Sequence, residues 1–138
     1  MTRRSDPPVV LVKWYDFTKW VLDHVDNFPK NQRFVFGQRL ADGVITILEL
    51  IVEATYSERK SQILLEVNRR MEVLRWLLRL AFDRRLFASK QYAASSEQLT
   101  ECGRMMGDAW RVAEPRANHM QRELALQFGL SASPHRVK

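Results

Sequence analysis

Two arginines four residues apart, Arg75 and Arg79, are the side chains of this sequence best suited to binding an anion. In a helix, which turns about 100° per residue, they lie within about 40° of each other. Like charges at this spacing repel unless an anion lies nearby. A guanidinium group binds phosphate through two parallel hydrogen bonds. The pair therefore predicts a surface that binds an anion or a ring of acidic partners, and the alternative is that these arginines only solvate one face of a helix.

Residue types that serve catalysis or metal binding lack suitable partners in the sequence. Cys102 has no histidine at helical spacing and falls on a predicted core stripe, which favours a small buried hydrophobic residue over a nucleophile. A di-metal helical bundle needs a glutamate three residues before each ligating histidine, and no histidine here has one. The histidines are His24, His119 and His135. We therefore expect no enzymatic activity, no metal and no cofactor.

The two arginines belong to the longest run without glycine or proline, from Ser57 to Leu86, which predicts a helix. One side of this helix has apolar residues at core spacing. The core residues are Ile63, Val67, Met71, Leu74, Leu77, Leu78 and Ala81. A second apolar side, which we call the outer face, lies opposite the core. The outer face comprises Leu65, Val73, Trp76 and Leu80, with Arg69 beside them.

A helix that is apolar on two sides needs a second covering layer. Four helices of this size bury one face of each helix but not two, so we expect other copies of the chain to cover the outer face. The alternative is that Trp76 and Leu80 pack under the N-terminal or C-terminal arm. Between the core and the outer face runs a polar stripe, which we call the seam. The seam comprises Asn68, Glu72, Arg75 and Arg79.

Positive charge is concentrated in the same helix. The range from Arg59 to Arg85 has eight Lys and Arg against three Asp and Glu, or +5 of the formal net charge of +6. The range from Pro115 to Lys138 adds four bases and one acid, or +3, so the remainder carries −2. Segregated charge of this kind favours binding to a polyanion. The first residues lack a long apolar run and Cys102 is a single cysteine, so we expect a cytoplasmic protein without a membrane span.

Helical periodicity predicts an all-α domain of four helices, an antiparallel up-down-up-down bundle. The first helix runs from Val10 to Asn27 and the second from Arg33 to Thr55. Ser57 is a candidate N-cap of the third helix, and Ser95 or Ser96 starts the fourth after a loop at residues 88–94. The predicted organisation is a flexible arm at residues 1–9, the bundle at 10–114, and a basic, partly disordered tail at 115–138.

Three separated blocks resemble one known family. They are FPKNQRFVFGQRL (28–40), LRWLLRLAFD (74–83) and SEQLTECGRMMGDAWR (96–111). In this order they are similar to the accessory variability determinant (Avd) proteins of diversity-generating retroelements, over about residues 10–112. They are similar, more distantly, to four-helix-bundle proteins encoded in intervening sequences of bacterial large-subunit ribosomal RNA genes.

The Avd resemblance implies a non-catalytic accessory protein that forms a ring-like homopentamer with a basic surface. Such a protein partners the reverse transcriptase of its element, which copies template-repeat RNA with errors at adenines into cDNA that replaces a variable region. Arg75 and Arg79 match the paired-arginine block and are the first candidates for nucleic-acid contact. The further candidates are Arg69, Lys30, Arg33 and Arg39. The alternatives are an intervening-sequence protein and a purely protein-binding bundle.

Overall fold

The computed structural model describes residues 7–112, and this part of the chain contains helices and no strand. Four long helices follow one another: α1 (Val9–Val25), α2 (Gln38–Tyr56), α3 (Lys60–Asp83) and α4 (Ser89–Val112). A short helical turn, Lys30–Gln32, and a π-helical turn, Arg33–Gly37, lead directly into α2. The predicted all-helical bundle is confirmed.

The helices alternate in direction, and each packs against its neighbours in the sequence. Trp14 of α1 donates its indole N–H to the carbonyl oxygen of Val44 in α2 (3.0 Å), while Val25 at the other end of α1 lies against Gly37. Contacts between α1 and α4 close the bundle. The core between the helices is continuous, and its largest fully buried side chains include Trp14, Phe17, Leu40, Ile47, Met71, Leu74 and Leu99.

The core side of α3 is close to the predicted one. Val67, Met71, Leu74, Leu78 and Ala81 are buried. Ile63 and Leu77 are partly buried against the core, and Leu64, which periodicity did not select, is fully part of it.

Two predicted helix starts are wrong. α4 begins at Ser89, so most of the predicted loop at residues 88–94 is helical, and Ser95 is a buried residue inside the helix. Its hydroxyl donates to the Tyr92 carbonyl oxygen (2.8 Å), which satisfies the hydroxyl without a cap. Ser57 does not cap α3 either, because its hydroxyl oxygen accepts from the Arg59 backbone N–H (2.8 Å) in the turn before the helix.

Residues 1–6 and 113–138 lie outside the described residues. The predicted tail at 115–138 and most of the predicted arm are among these residues, and α1 begins at Val9, inside the range predicted as an arm. No described helix is long and apolar enough to span a membrane.

Candidate nucleic-acid and assembly surfaces

The outer face of α3 is exposed to solvent in the single chain. Trp76 is 69% exposed, Val73 56% and Leu80 44%, while Leu65 at the start of the helix is half-buried. No described residue covers Trp76, so within residues 7–112 the four helices leave this face open, as the periodicity predicts. The alternative, that the N-terminal or C-terminal arm covers Trp76 and Leu80, involves residues outside the described ones. A tryptophan this exposed leaves a large apolar area in water, which is typical of an interaction surface.

The arginines of the seam already have partners within the chain. The Arg75 guanidinium lies 3.5 Å from the Glu72 carboxylate and donates to the Thr100 hydroxyl of α4 (3.1 Å). The Arg79 guanidinium lies 3.4 Å from the Asp83 carboxylate. Of the two expected partners, an anion or acidic groups, the chain supplies acidic groups of its own one helical turn away, and binding of an external anion by these arginines stays a prediction.

The seam nevertheless remains accessible. The Arg79 side chain is 55% exposed and the Arg75 side chain 36% exposed. Exposed ion pairs of this kind contribute about 0–1 kcal/mol, so a phosphate group can compete for the guanidinium groups at small cost.

Arg69 lies beside the outer face and shares one carboxylate with Arg70. Both guanidinium groups donate to Glu66, with the Arg70 Nε at 2.7 Å from its Oε2. The hydrogen bond from Arg70, together with the one from Arg69, lowers the pKa of the Glu66 carboxyl. Two cations on one exposed carboxylate leave a net positive charge here, which is compatible with a neighbouring anion.

Lys30, Arg33 and Arg39 do not lie on the seam. Lys30 and Arg33 belong to the segment that enters α2, where the chain forms its π-helical turn, and Arg39 is the second residue of α2. Lys30 and Arg39 are exposed, and none of the three has an ion-pair partner among the described residues. The Arg33 Nε is buried and makes no hydrogen bond to the described residues. The six candidate cations thus fall on two separate surfaces, which a sequence pattern cannot distinguish.

The π-helical turn packs closely against the end of α1. A β-carbon built on Gly37 would lie 2.8 Å from Val25 Cγ1 and 3.4 Å from a Phe28 ring carbon, so only glycine lets this turn approach the end of α1. π-helical turns are rare and frequently occur at functional sites. The turn leaves Phe34 and Val35 exposed, at 66% and 73%.

A third group of cations lies outside the predicted binding residues. Arg84, Arg85 and Lys90 occupy the connection between α3 and α4 and the first turn of α4. All three are exposed and have no ion pair among the described residues. Their signal in the sequence is the adjacent pair Arg84 and Arg85, which adds to the positive charge of the range 59–85 but lies beyond the last residue of the helix, Asp83.

The segments described above all lie within the range that matches a known protein family. The bAvd-like family matches residues 9–113, a range that includes all four helices and both basic connections. The chain belongs to the bAvd-like family. No curated protein and no solved structure matches the chain significantly. The recognition of an Avd-like protein from the three sequence blocks is confirmed.

Membership of the bAvd-like family places the chain among accessory, non-catalytic proteins. Cys102 is buried as predicted, and burial raises the pKa of its thiol to about 11, so it is neutral at physiological pH. Among residues 7–109, no group of three or more His, Cys, Asp or Glu side chains is arranged to hold a metal ion.

Proposed function

We propose that this bAvd-like chain is the accessory variability determinant of a diversity-generating retroelement. It binds the reverse transcriptase of that element and supports adenine-mutagenic synthesis of cDNA from template-repeat RNA. The observation that carries the proposal is the family match over residues 9–113, since it spans every described helix rather than one motif.

Self-assembly is the first part of the proposal. The exposed outer face of α3 is the surface that other copies cover, with Trp76 at its centre and Leu65, Val73 and Leu80 around it. The family resemblance implies a ring of five copies. Five copies would have a formal charge of 5 × 6, or +30, which is a strong field for a polyanion.

Nucleic-acid binding is the second part. The seam arginines Arg75 and Arg79, with Arg69 nearby, contact the phosphates of RNA and cDNA by exchanging their exposed carboxylate partners for phosphate. The cations at the start of α2 contribute further contacts: Lys30, Arg33 and Arg39. Binding of this kind depends steeply on salt and weakly on sequence.

The double variant Arg75→Ala/Arg79→Ala tests the seam. We expect weaker binding of template-repeat RNA and a log–log salt slope that is smaller by about 1.4, since each lost phosphate contact on a single strand removes about 0.7. The bundle should stay folded, because the loss of the Arg75 hydrogen bond to Thr100 costs only about 1 kcal/mol.

The matched control is Lys19→Ala/Arg104→Ala. It removes the same charge, and both cations are also paired with carboxylates on their own helices. Parent-like RNA binding by the seam variant, or an equal loss in the control, would contradict the role of the seam. Co-purification with the element's reverse transcriptase tests the partner, and a protein-binding bundle without nucleic acid would retain the enzyme but not RNA at low salt. A gene inside a ribosomal RNA gene, without an adjacent reverse transcriptase gene and repeat pair, would favour the intervening-sequence alternative.

A further inference from the structure

Unpaired cations are distributed unevenly over the bundle. In the seam and near it, every arginine has a carboxylate partner. Within residues 7–109, the basic side chains without an ion pair or hydrogen bond are Lys13, Lys30, Arg33, Arg39, Arg59, Arg84, Arg85 and Lys90. Five of these eight lie in or beside the two connections at one end of the bundle: Lys30, Arg33, Arg84, Arg85 and Lys90. This end therefore has most of the described cations that can accept a phosphate without first giving up a partner.

These two connections are in direct contact. Phe28, just before the α2 segment, packs its ring edge-on against Phe87, just before α4, with ring centroids 5.6 Å apart. Both phenylalanines are buried, and Phe87 also contacts the rings of Trp20 and His24 in α1. This cluster of aromatic rings therefore holds the two basic connections together in one fixed surface.

The charge of this surface is positive after its acids are counted. Asp23 and Asp26, at the end of α1, are the acids of this end that remain after Asp83 pairs with Arg79. Five bases minus two acids give +3.

Arg85 places its cation at this end in a backbone conformation that is costly for a residue other than glycine. Its φ is +65°, and it is the single described residue other than glycine with a positive φ. The Leu86 N–H donates to the Ala81 carbonyl (2.8 Å) and the Arg85 N–H to the Phe82 carbonyl (2.9 Å), which is the Schellman ending of a helix. Glycine usually occupies this position, because the left-handed conformation costs other residues about 1–2 kcal/mol. Strain of this kind is typical of functional positions.

Phe34 adds an exposed aromatic ring to the cations. It lies four residues after Lys30 and directly after Arg33, and it is 66% exposed. An exposed aromatic ring among unpaired cations suits a single strand of nucleic acid, which presents both phosphates and unstacked base faces. The centre of a protein interface is instead depleted in charge. Arg33, the residue before Phe34, has a buried Nε without a hydrogen-bond partner among the described residues.

We infer that this end of the bundle is a binding surface for single-stranded nucleic acid, separate from the seam. Lys30, Arg33, Arg84, Arg85 and Lys90 contact the phosphates, and a base stacks on Phe34. We call these six residues the bundle-end surface. The inference rests on the proposed function only in taking nucleic acid as the ligand.

The variant Arg85→Gly/Lys90→Ala tests the phosphate contacts in the full-length chain. Glycine adopts the positive φ without strain and alanine favours a helix, so the fold is retained. The probes are labelled single-stranded RNA and DNA oligonucleotides of mixed sequence and the matching duplexes, measured by fluorescence anisotropy over a salt series. We expect single-strand affinity to fall on the order of tenfold, with a salt slope smaller by about 1.4.

The matched control is Lys13→Ala/Arg59→Ala, which removes two equally unpaired cations away from this end. It should bind like the parent. Phe34→Leu tests the stacking contact: single-strand affinity should fall roughly tenfold while duplex affinity stays unchanged. Tyr56→Leu, at an aromatic residue that is 79% exposed at the other end of the bundle, is its control.

The outcomes separate this inference from the proposed function. Parent-like binding by Arg85→Gly/Lys90→Ala overturns the inference, and if the seam variant loses binding the proposed function stands. Equal loss in the Lys13→Ala/Arg59→Ala control would show that only net charge matters and would also overturn it. An unchanged single-strand affinity in Phe34→Leu would remove the stacking contact and with it the preference for single strands. A parent chain that retains no RNA or DNA at low salt would contradict both proposals.

Discussion

Replacing Trp76 by glutamate is the sharpest test of the outer face of α3. Burial of a tryptophan removes up to about 200 Å² from water, and Trp76 is 69% exposed in the single chain. Complete coverage by a neighbouring copy would thus bury roughly 140 Å², or about 3.5 kcal/mol at 25 cal/mol per Å². This is an upper value, since association also costs entropy. A loss of this size corresponds to an association that is weaker by up to roughly 300-fold for each lost contact.

The assay is sedimentation velocity over a concentration series, with light scattering for mass. The parent should sediment as an oligomer of a 16.2 kDa chain, and Trp76→Glu should shift toward the monomer. The far-UV circular dichroism should stay unchanged, because the side chain makes few contacts within its own bundle and exposed substitutions usually change stability by no more than about 0.5 kcal/mol.

Two controls make this result specific. Tyr56→Glu introduces the same charge at an aromatic residue that is also highly exposed but lies at the end of α2. Trp76→Phe keeps most of the apolar area and should keep the oligomer. The reasoning is refuted by a parent that sediments as a monomer, by a Trp76→Glu variant with the parent's mass, or by an equal shift in Tyr56→Glu.

Two further predictions concern the core. Gly37→Ala should lower the free energy of unfolding by about 1–3 kcal/mol, because its methyl group would lie 2.8 Å from Val25 Cγ1. Gly43→Ala is the matched control and should raise that free energy by up to about 1 kcal/mol, since its methyl group would meet Leu74 Cδ1 at an ordinary 3.6 Å; urea denaturation measures both, and equal effects would contradict the tight approach at the π-helical turn. Alkylation of Cys102 in the folded chain should stay slow until the pH approaches the thiol pKa of about 11, with urea-unfolded chain as the fast control. Rapid alkylation of the folded chain near pH 8 would show that the thiol is not buried as described.

Periodicity located the fold and one surface correctly because both depend on local spacing. The recurrence of apolar residues in α3 predicted its core side, and the same arithmetic placed Trp76, Val73 and Leu80 on the opposite side, where they are exposed. Helix starts were predicted less well. Ser57 and Ser95 have the residue type of a cap, but their hydroxyls bond within a turn and within a helix instead, and residue type alone does not decide between these partners.

Electrostatic pairing was decided by the tertiary structure. The repulsion between Arg75 and Arg79 follows from their spacing, but its relief by Glu72, Asp83 and Thr100 depends on side-chain directions and on the position of α4. The sequence alone determined that the chain is a basic, all-helical, bAvd-like protein with an apolar outer face. Only the folded chain shows which cations are unpaired. Only the folded chain also brings together the connections before α2 and before α4, which are far apart in the sequence and meet through Phe28 and Phe87.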